Sequence, residues 1–278
     1  MSIVDALGDR MKMYEGAEAG RKFMPLLPIV ARMDGRGFSR FTKGMERPYD
    51  ASMSHCMIET TRFLVENTGA LCGYTQSDEI TLVWLSETLK RQTWFNGRIA
   101  KMNSCLAAET TLAFYEQILQ HMPKYARKRP RFDARVWNVP NQTEAANAFL
   151  WREWDATKNS IQMSGHHYYS HKQLHKKHGG EIKDMLMEKG VNWNNYPPFF
   201  KRGTFIQRAT LTTPFTIEEL DKLPPKHKAR TNPELVVERS VVRQLDMPPF
   251  QKVVNREDVI FNGALPIVAN ADVGEPVA

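Results

Sequence analysis

The chain has 278 residues, 42% hydrophobic and 25% charged, with a net charge of +7 and a pI of about 9.3. That is enough chain to bury a sizeable core, and the basic balance favours an anionic partner such as RNA, DNA or nucleotides. The three scattered cysteines, Cys56, Cys72 and Cys105, exclude a disulfide framework and fit a reducing cytoplasm, and the sequence shows neither a secretory h-region nor an apolar run long enough to span a membrane.

Residues 3–19 predict a short polar helix. Leu26–Met33 is an apolar, partly β-branched run that predicts the first strand, and it stops on Asp34-Gly35-Arg36-Gly37-Phe38. A strand that ends this way delivers a carboxylate and a glycine-rich loop to the edge of a sheet. Asp50 is placed as a helix N-cap. Met53, Met57, Thr60 and Leu64 then share one helical face, which reads as core packing, and Gly69 stands where a C-terminal glycine ends the helix. Leu71–Thr75 and Ile80–Leu85 predict two strands joined by the tight turn Gln76-Ser77-Asp78-Glu79. A strand–helix–strand crossover is right-handed, so the exit of the first strand and this turn fall on one edge. Asp34 and Asp78 are therefore expected to meet.

A helical period runs from about residue 92 to 118 through Phe95, Ile99, Met102, Leu106, Ala113 and Phe114, with Arg98 and Lys101 one turn apart near its start. The basic loop Tyr125–Arg131 and the strand Phe132–Val139 follow. This order is βαββαβ, an α+β ferredoxin-like arrangement with helices on one face of the sheet. Asn141 to Glu144 has the spacing of a capping box, opening a helix to about Ser164 on which Arg152, Asp155 and Asn159 share a face. His167, His171, His175 and His178 fit one further helical face. Surrounded by Lys172, Lys176 and Lys177, they read as a basic, RNA-facing or solvated helix rather than a zinc site. A strand over Thr204–Leu211, a helical turn over Glu218–Leu223 and a basic run over Lys226–Arg230 come next. The expected division is a catalytic core over 1–140, a C-terminal half packed on it over 141–261, and a loosely ordered tail over 262–278.

Two converging carboxylates can hold a pair of Mg²⁺ ions about 3.5–4 Å apart for phosphoryl or nucleotidyl transfer. Mg²⁺ keeps several waters, so two acids and phosphate oxygens suffice. The Gly35 carbonyl is placed to add a ligand, and the amides of Gly35, Arg36, Gly37 and Phe38 to meet a triphosphate. Arg36, Lys43, Arg98 and Lys101 are candidates to neutralise the remaining charge. Glu79 is either a helper acid or a solvated neighbour. An Asp-Gly pair at a strand end is by itself only a turn, so it is the joint placement of Asp34 and Asp78 that points to a metal site.

Taken together, Asp34-Gly35-Arg36-Gly37-Phe38, Gln76-Ser77-Asp78-Glu79, Trp94-Phe95, Phe132–Val136, Asn141-Gln142-Thr143, Trp151-Arg152 and Lys201–Thr204 resemble the tRNA-His guanylyltransferase family, in the right order from about residue 25 to 245. Where eukaryotic members carry His-Ile-Asn-Asn-Leu-Tyr-Asn, this chain has Thr157, Lys158 and Gln162 in place of His, Ile and Tyr. That departure from dedicated tRNA-His recognition resembles the branch of tRNA-His guanylyltransferase-like proteins, which add nucleotides in the 3′-to-5′ direction to repair tRNA 5′ ends.

The resemblance implies a polymerase-palm fold. Asp34 and Asp78 would be the metal-binding acids, with Gly35 as carbonyl ligand. A 5′-monophosphate is activated by ATP or GTP, and the 3′-hydroxyl of an incoming NTP then attacks the activated end. It also implies nucleotide or triphosphate contacts at Arg32, Lys43, Ser77, Arg98 and Lys101, weaker ones at Asn159 and Lys183, and a cytoplasmic homotetramer. A palm-type nucleotide cyclase and a non-catalytic RNA-binding protein remain as alternatives.

Overall fold

The alternation of the first strand shapes the molecule. Ile29, Ala31 and Met33 enter one apolar cluster and Val30 enters another, so this strand is packed on both faces. The structure is a computed structural model and describes residues 3–90, 93–232 and 234–269.

In chain order, the first helix, α1, spans Ile3–Ala19 and β1 spans Ile29–Gly35; α2 (Phe38–Phe41) and α3 (Ala51–Thr68) follow. A hairpin of β2 (Cys72–Gln76) and β3 (Glu79–Trp84) leads to α4 (Ile99–His121) and β4 (Phe132–Asn138). The second half contributes α5 (Gln142–Tyr168), α6 (His171–Leu174), α7 (Gly179–Glu188), α8 (Pro198–Arg202), β5 (Thr204–Pro214), α9 (Ile217–Lys222), β6 (Val236–Gln244) and α10 (Arg256–Phe261).

All six strands form one antiparallel sheet in the order β4-β1-β3-β2-β5-β6. The α+β class is as expected. α3 and α4 cover one face, where Met57, Leu64, Met102, Leu106 and Phe114 meet Met33, Ile80 and Leu82. The expectation of helices on one face does not extend to the whole chain. α5 and α10 cover the other face, with Phe149, Ile260 and Phe250 packed on Val30, Val83 and Phe205. β5 and β6 continue the sheet without a break, and β6, with muted hydrophobic alternation, is absent from the sequence reading. Of the stretch expected as a tail, Val268 bridges Val253 and Ala264 accepts from the Gln207 side chain at 2.7 Å; residues 270–278 lie outside the described residues.

The caps at Asp50 and Gly69 fall where expected: Asp50 Oδ1 accepts from the Met53 amide at 3.1 Å and Gly69 adopts φ 70°. Asn141 caps α5 by accepting from the Glu144 amide at 2.8 Å, while Glu144 accepts from Asn147 instead of closing a box. The four-histidine face does not exist. α5 runs past Ser164 to Tyr168, His171 starts α6, and His175 and His178 flank the gap before α7, so the four rings belong to three elements. Among the described residues no helix is long and apolar enough to cross a membrane.

Candidate active site

Asp34 is the last but one residue of β1, and its register partners are Glu79 on β3 and Asp133 on β4. Paired residues in an antiparallel sheet point to the same face, so three acids stand in one row on the face covered by α5. Asp78 belongs to the two-residue turn between Gln76 and Glu79, where Ser77 takes a left-handed φ of 49°. The amide of Gly35 donates to the Asp78 carbonyl at 3.0 Å and locks the end of β1 to this turn. Gly35 has no side chain because Phe38 occupies the space: a Cβ there would stand 2.2 Å from the phenyl ring.

Each carboxylate has a different environment. Burial raises the pKa of Asp78; its Ser77 hydroxyl donor (3.0 Å) works the other way, and the nearby charge of Asp34 adds to the rise. Asp34 has one loose cation, Arg135, at 3.8 Å, with both side chains about half exposed. Glu79 is 7% exposed and receives Arg152 of α5 on both oxygens, with Nη2 at 2.8 Å; burial is the largest influence on its carboxyl and pushes the pKa up. Arg152 reaches on to Asp155 at 2.9 Å, and Asp155 accepts from Asn159 at 3.1 Å. Of the two readings of Glu79, helper acid or solvated neighbour, the solvated one is corrected. The side chain is buried, and its lone pairs are committed to the arginine that ties α5 over the site.

A cleft of about 340 Å³ collects Asp34, Ser77, Asp78, Glu79, Arg152, Asp155, Asn159 and Gln162. It shares Gln76, Ser77, Asp78, Asn159 and Met163 with a second cavity of about 350 Å³. The second cavity is walled by Phe38, Met45, Tyr49, Phe199 and Phe200, with Arg47 as the one basic residue among its described lining. Tyr49 lies 4.8 Å from Phe200 and 5.4 Å from Phe199, ring centre to ring centre. The combined space has the Asp34–Asp78 acids at one end and, at the other, an aromatic wall with Arg47, Glu46 and Asp50 beside it, a layout that can take a charged group joined to a flat heterocycle.

The two carboxylates fit a divalent cation held mainly by water and ligand oxygens. They share one cleft, and no side-chain cation lowers Asp78. No group of three or more His, Cys, Asp or Glu fit to hold a metal occurs among the described residues, so a cation here would have to take most of its ligands from water and substrate.

The other expected contacts divide. Ser77 and Asn159 line the cleft. Arg32 lies under α5, 3.9 Å from Glu79 and 5.7 Å from the Trp151 ring centre. The glycine-rich loop is less open than expected: the Gly35 amide is used as above and that of Arg36 donates to the Arg131 carbonyl at 2.8 Å, leaving the amides of Gly37 and Phe38 without an acceptor among the described residues. Lys43 is exposed beyond α2 and lines neither cavity.

Arg98 and Lys101 are not brought to the acids. They open α4 at the opposite end of the sheet, where Arg98 bridges Lys22, Lys101 rests 4.8 Å from the Phe95 ring centre and Trp94 stacks on Trp84. α4 runs back along the strands, so its start lies five strand residues away, on the order of 17 Å. In the basic loop, Lys128 donates to the carbonyls of Phe41 and Lys43 at 2.7 Å each and closes the C-terminal end of α2. Arg152, Arg47 and the Tyr49–Phe200 wall are the parts sequence reasoning missed; the shared face of Arg152, Asp155 and Asn159 was the one signal for them.

Comparison with known proteins identifies the family. The family model for tRNAHis guanylyltransferase, Thg1, matches residues 8–140. A solved bacterial tRNA(His) guanylyltransferase (Thg1)-like protein in complex with ATP is 38% identical, with a TM-score of 0.68 over 72% of this chain and 88% of its own. Another such protein, in complex with GTP, is 29% identical with a TM-score of 0.65 over 89% and 94%. An uncharacterized protein, R259 of Acanthamoeba polyphaga mimivirus, is 30% identical over 235 residues, covering 76% of this chain and 80% of its own. With the family model on residues 8–140 and a solved Thg1-like protein 38% identical over 88% of its own length, this chain belongs to the Thg1, or tRNA(His) guanylyltransferase, family of nucleotidyltransferases.

Proposed function

We propose that this protein adds nucleotides in the 3′-to-5′ direction to the 5′ end of tRNA, with magnesium and nucleoside triphosphates. The observation that carries the proposal is the meeting of Asp34 and Asp78 in one cleft that opens into an aromatic-walled cavity. Solved relatives in complex with ATP and with GTP support triphosphates as substrates. The strand order β4-β1-β3-β2 with α3 and α4 on one face supports the polymerase-palm reading of residues 1–140, with 141–261 as the half that closes the other face.

Asp34, Asp78 and the Gly35 carbonyl would hold magnesium, which when bound supplies charge neutralisation and Lewis acidity at phosphate oxygens. The chain's own residues do the rest by position. Ser77 orients the Asp78 carboxylate. Glu79 and Arg152 hold α5, and with it Asn159, over the cleft. Tyr49, Phe199 and Phe200 give a base a wall to rest on, and Arg47 and the free amides of Gly37 and Phe38 offer positive charge to phosphates. The 3′-hydroxyl of the bound NTP attacks the activated 5′ phosphate of the acceptor, forming a phosphodiester and releasing the activating nucleotide monophosphate.

The test is to mix the protein with Mg²⁺, labelled NTP and tRNA lacking its first nucleotide. Extension at the 5′ end is expected. A cyclic product from NTP alone, or retention of tRNA with no turnover, would overturn the proposal. Light scattering tests the homotetramer that the resemblance implies.

A further inference from the structure

A third cavity, on the far side of the same sheet edge, lies outside the site described above. It encloses about 650 Å³ between the outer surface of α4 and the segment entering β4. Three arginines face it, Arg36, Arg129 and Arg131, and no acid lines it. All three are exposed, and none joins an ion pair among the described residues. Three exposed arginines around one cavity with no carboxylate in its lining make it electropositive, and an anion with several charges is the ligand that suits it. The opposite wall is Tyr115 and Leu112, the latter 56% exposed, so the cavity also offers a ring and an apolar ledge.

Its position limits what the anion is. Arg36 is two residues beyond Asp34, its amide is bonded to the Arg131 carbonyl, and Gly35 pairs with Phe132. The cavity is therefore within about 10 Å of the catalytic edge along the strand ends, a few nucleotides of stacked RNA at roughly 3.4 Å each. An arginine-lined groove with an aromatic side suits a phosphodiester backbone with a base or ribose against the ring.

We infer that Arg36, Arg129, Arg131 and Tyr115 form a docking site for the acceptor RNA backbone beyond its reacting 5′ end. The inference rests on the functional reading above and adds to it where the body of the RNA leaves the cleft. Arginine is the residue for this because its planar fork binds phosphate oxygens in pairs and stays charged.

The experiment uses the full chain and the double variant Arg129→Gln with Arg131→Gln, which leaves Asp34, Asp78 and Arg36 intact. Affinity for 5′-truncated tRNA is measured across a salt series, with ATP and GTP affinity and oligomeric mass alongside. The expected result is a tRNA Kd raised about tenfold at low salt and a log–log salt slope shallower by about 1.5, from two lost phosphate contacts. Nucleotide affinity should stay the same. A variant with wild-type tRNA affinity and slope overturns the inference, as does one whose only change is oligomeric mass, which would make this face a contact between copies. Wild-type protein that fails to bind tRNA at all overturns the functional reading itself, and with it this site. Circular dichroism of the variant guards against misfolding, and Tyr115→Leu, which removes the ring alone, should weaken tRNA without altering the salt slope.

Discussion

Glu79 and Arg152, 73 residues apart, meet in a two-pronged ion pair under α5, with side chains 9% and 8% exposed. This pair ties the second half of the chain to the strand that carries the Asp78 turn. Removing one partner leaves the other buried with a lesser neighbour, Arg32 at 3.9 Å for Glu79 or Asp155 at 2.9 Å for Arg152, so the loss approaches the roughly 3–5 kcal/mol of a broken buried pair. Arg152→Ala is expected to lower the denaturation midpoint sharply, whereas Glu79→Leu with Arg152→Met should recover most of it. A single variant as stable as wild type in urea unfolding would mean that the pair does not hold α5.

Asp78→Ala should cut nucleotide addition by about a hundredfold or more while leaving tRNA affinity nearly unchanged. Burial and Asp34 hold the Asp78 pKa above the ordinary carboxylate range, and the reaction needs the ionised form. The acid limb of the rate profile should therefore begin at a higher pH than for an unperturbed aspartate. Single-turnover rates across an acidic pH series check both points; substantial activity in the alanine variant contradicts the metal assignment.

Glu153 is 3% exposed, and burial pushes its carboxyl up to about 7 from the ordinary 4.5. It accepts from the Phe250 amide at 2.9 Å and lies 3.9 Å from Arg202. The folded chain keeps this proton where the unfolded chain has released it. The contribution of this group is therefore fully present below about pH 4.5 and is lost as pH rises toward 7, by on the order of 3 kcal/mol. Glu153→Gln should flatten that part of the stability curve. An unchanged slope in denaturant titrations at several pH values would discount the assignment.

Gly35→Ala places a methyl group 2.2 Å from the Phe38 ring. Overpacking of this kind is destabilising by about 1–3 kcal/mol, and relief requires the Asp34–Phe38 segment to shift. Loss of both thermal stability and activity is expected, with partial rescue on adding Phe38→Leu. A Gly35→Ala protein with wild-type melting temperature would show that the loop has slack.

Much of this was legible where chemistry is tied covalently to a strand end. Asp34, Ser77 and Asp78 could be placed because their neighbours set strand boundaries, and Asp50 and Gly69 could be placed by their capping chemistry. The misses have local causes. β1 starts at Ile29 instead of Leu26, which has φ 63°, and Pro28 has no amide to give. α4 starts at Ile99 because Phe95, Asn96 and Gly97 all take positive φ. α5 continues through Gly165, a glycine kept for packing: a Cβ there would stand 2.9 Å from Ile182. The aromatic wall brings Tyr49 together with Phe199 and Phe200, and local periodicity carries no signal for contacts at that separation. Arg98 and Lys101 were misplaced because sequence proximity to a helix start does not say which end of the sheet that start occupies.

The turn at Ser77 and Asp78 has a consequence for how this chain can vary. It is two residues long, and β3 begins immediately after it with side chains that alternate between two cores. A slip of β3 by one position would exchange the faces: Glu79 would be driven among Met33 and Met57, and Ile80 would meet Arg152. An added residue must therefore be absorbed inside the turn itself, where the Asp78 carbonyl accepts from the Gly35 amide, while the flanking strands keep their count.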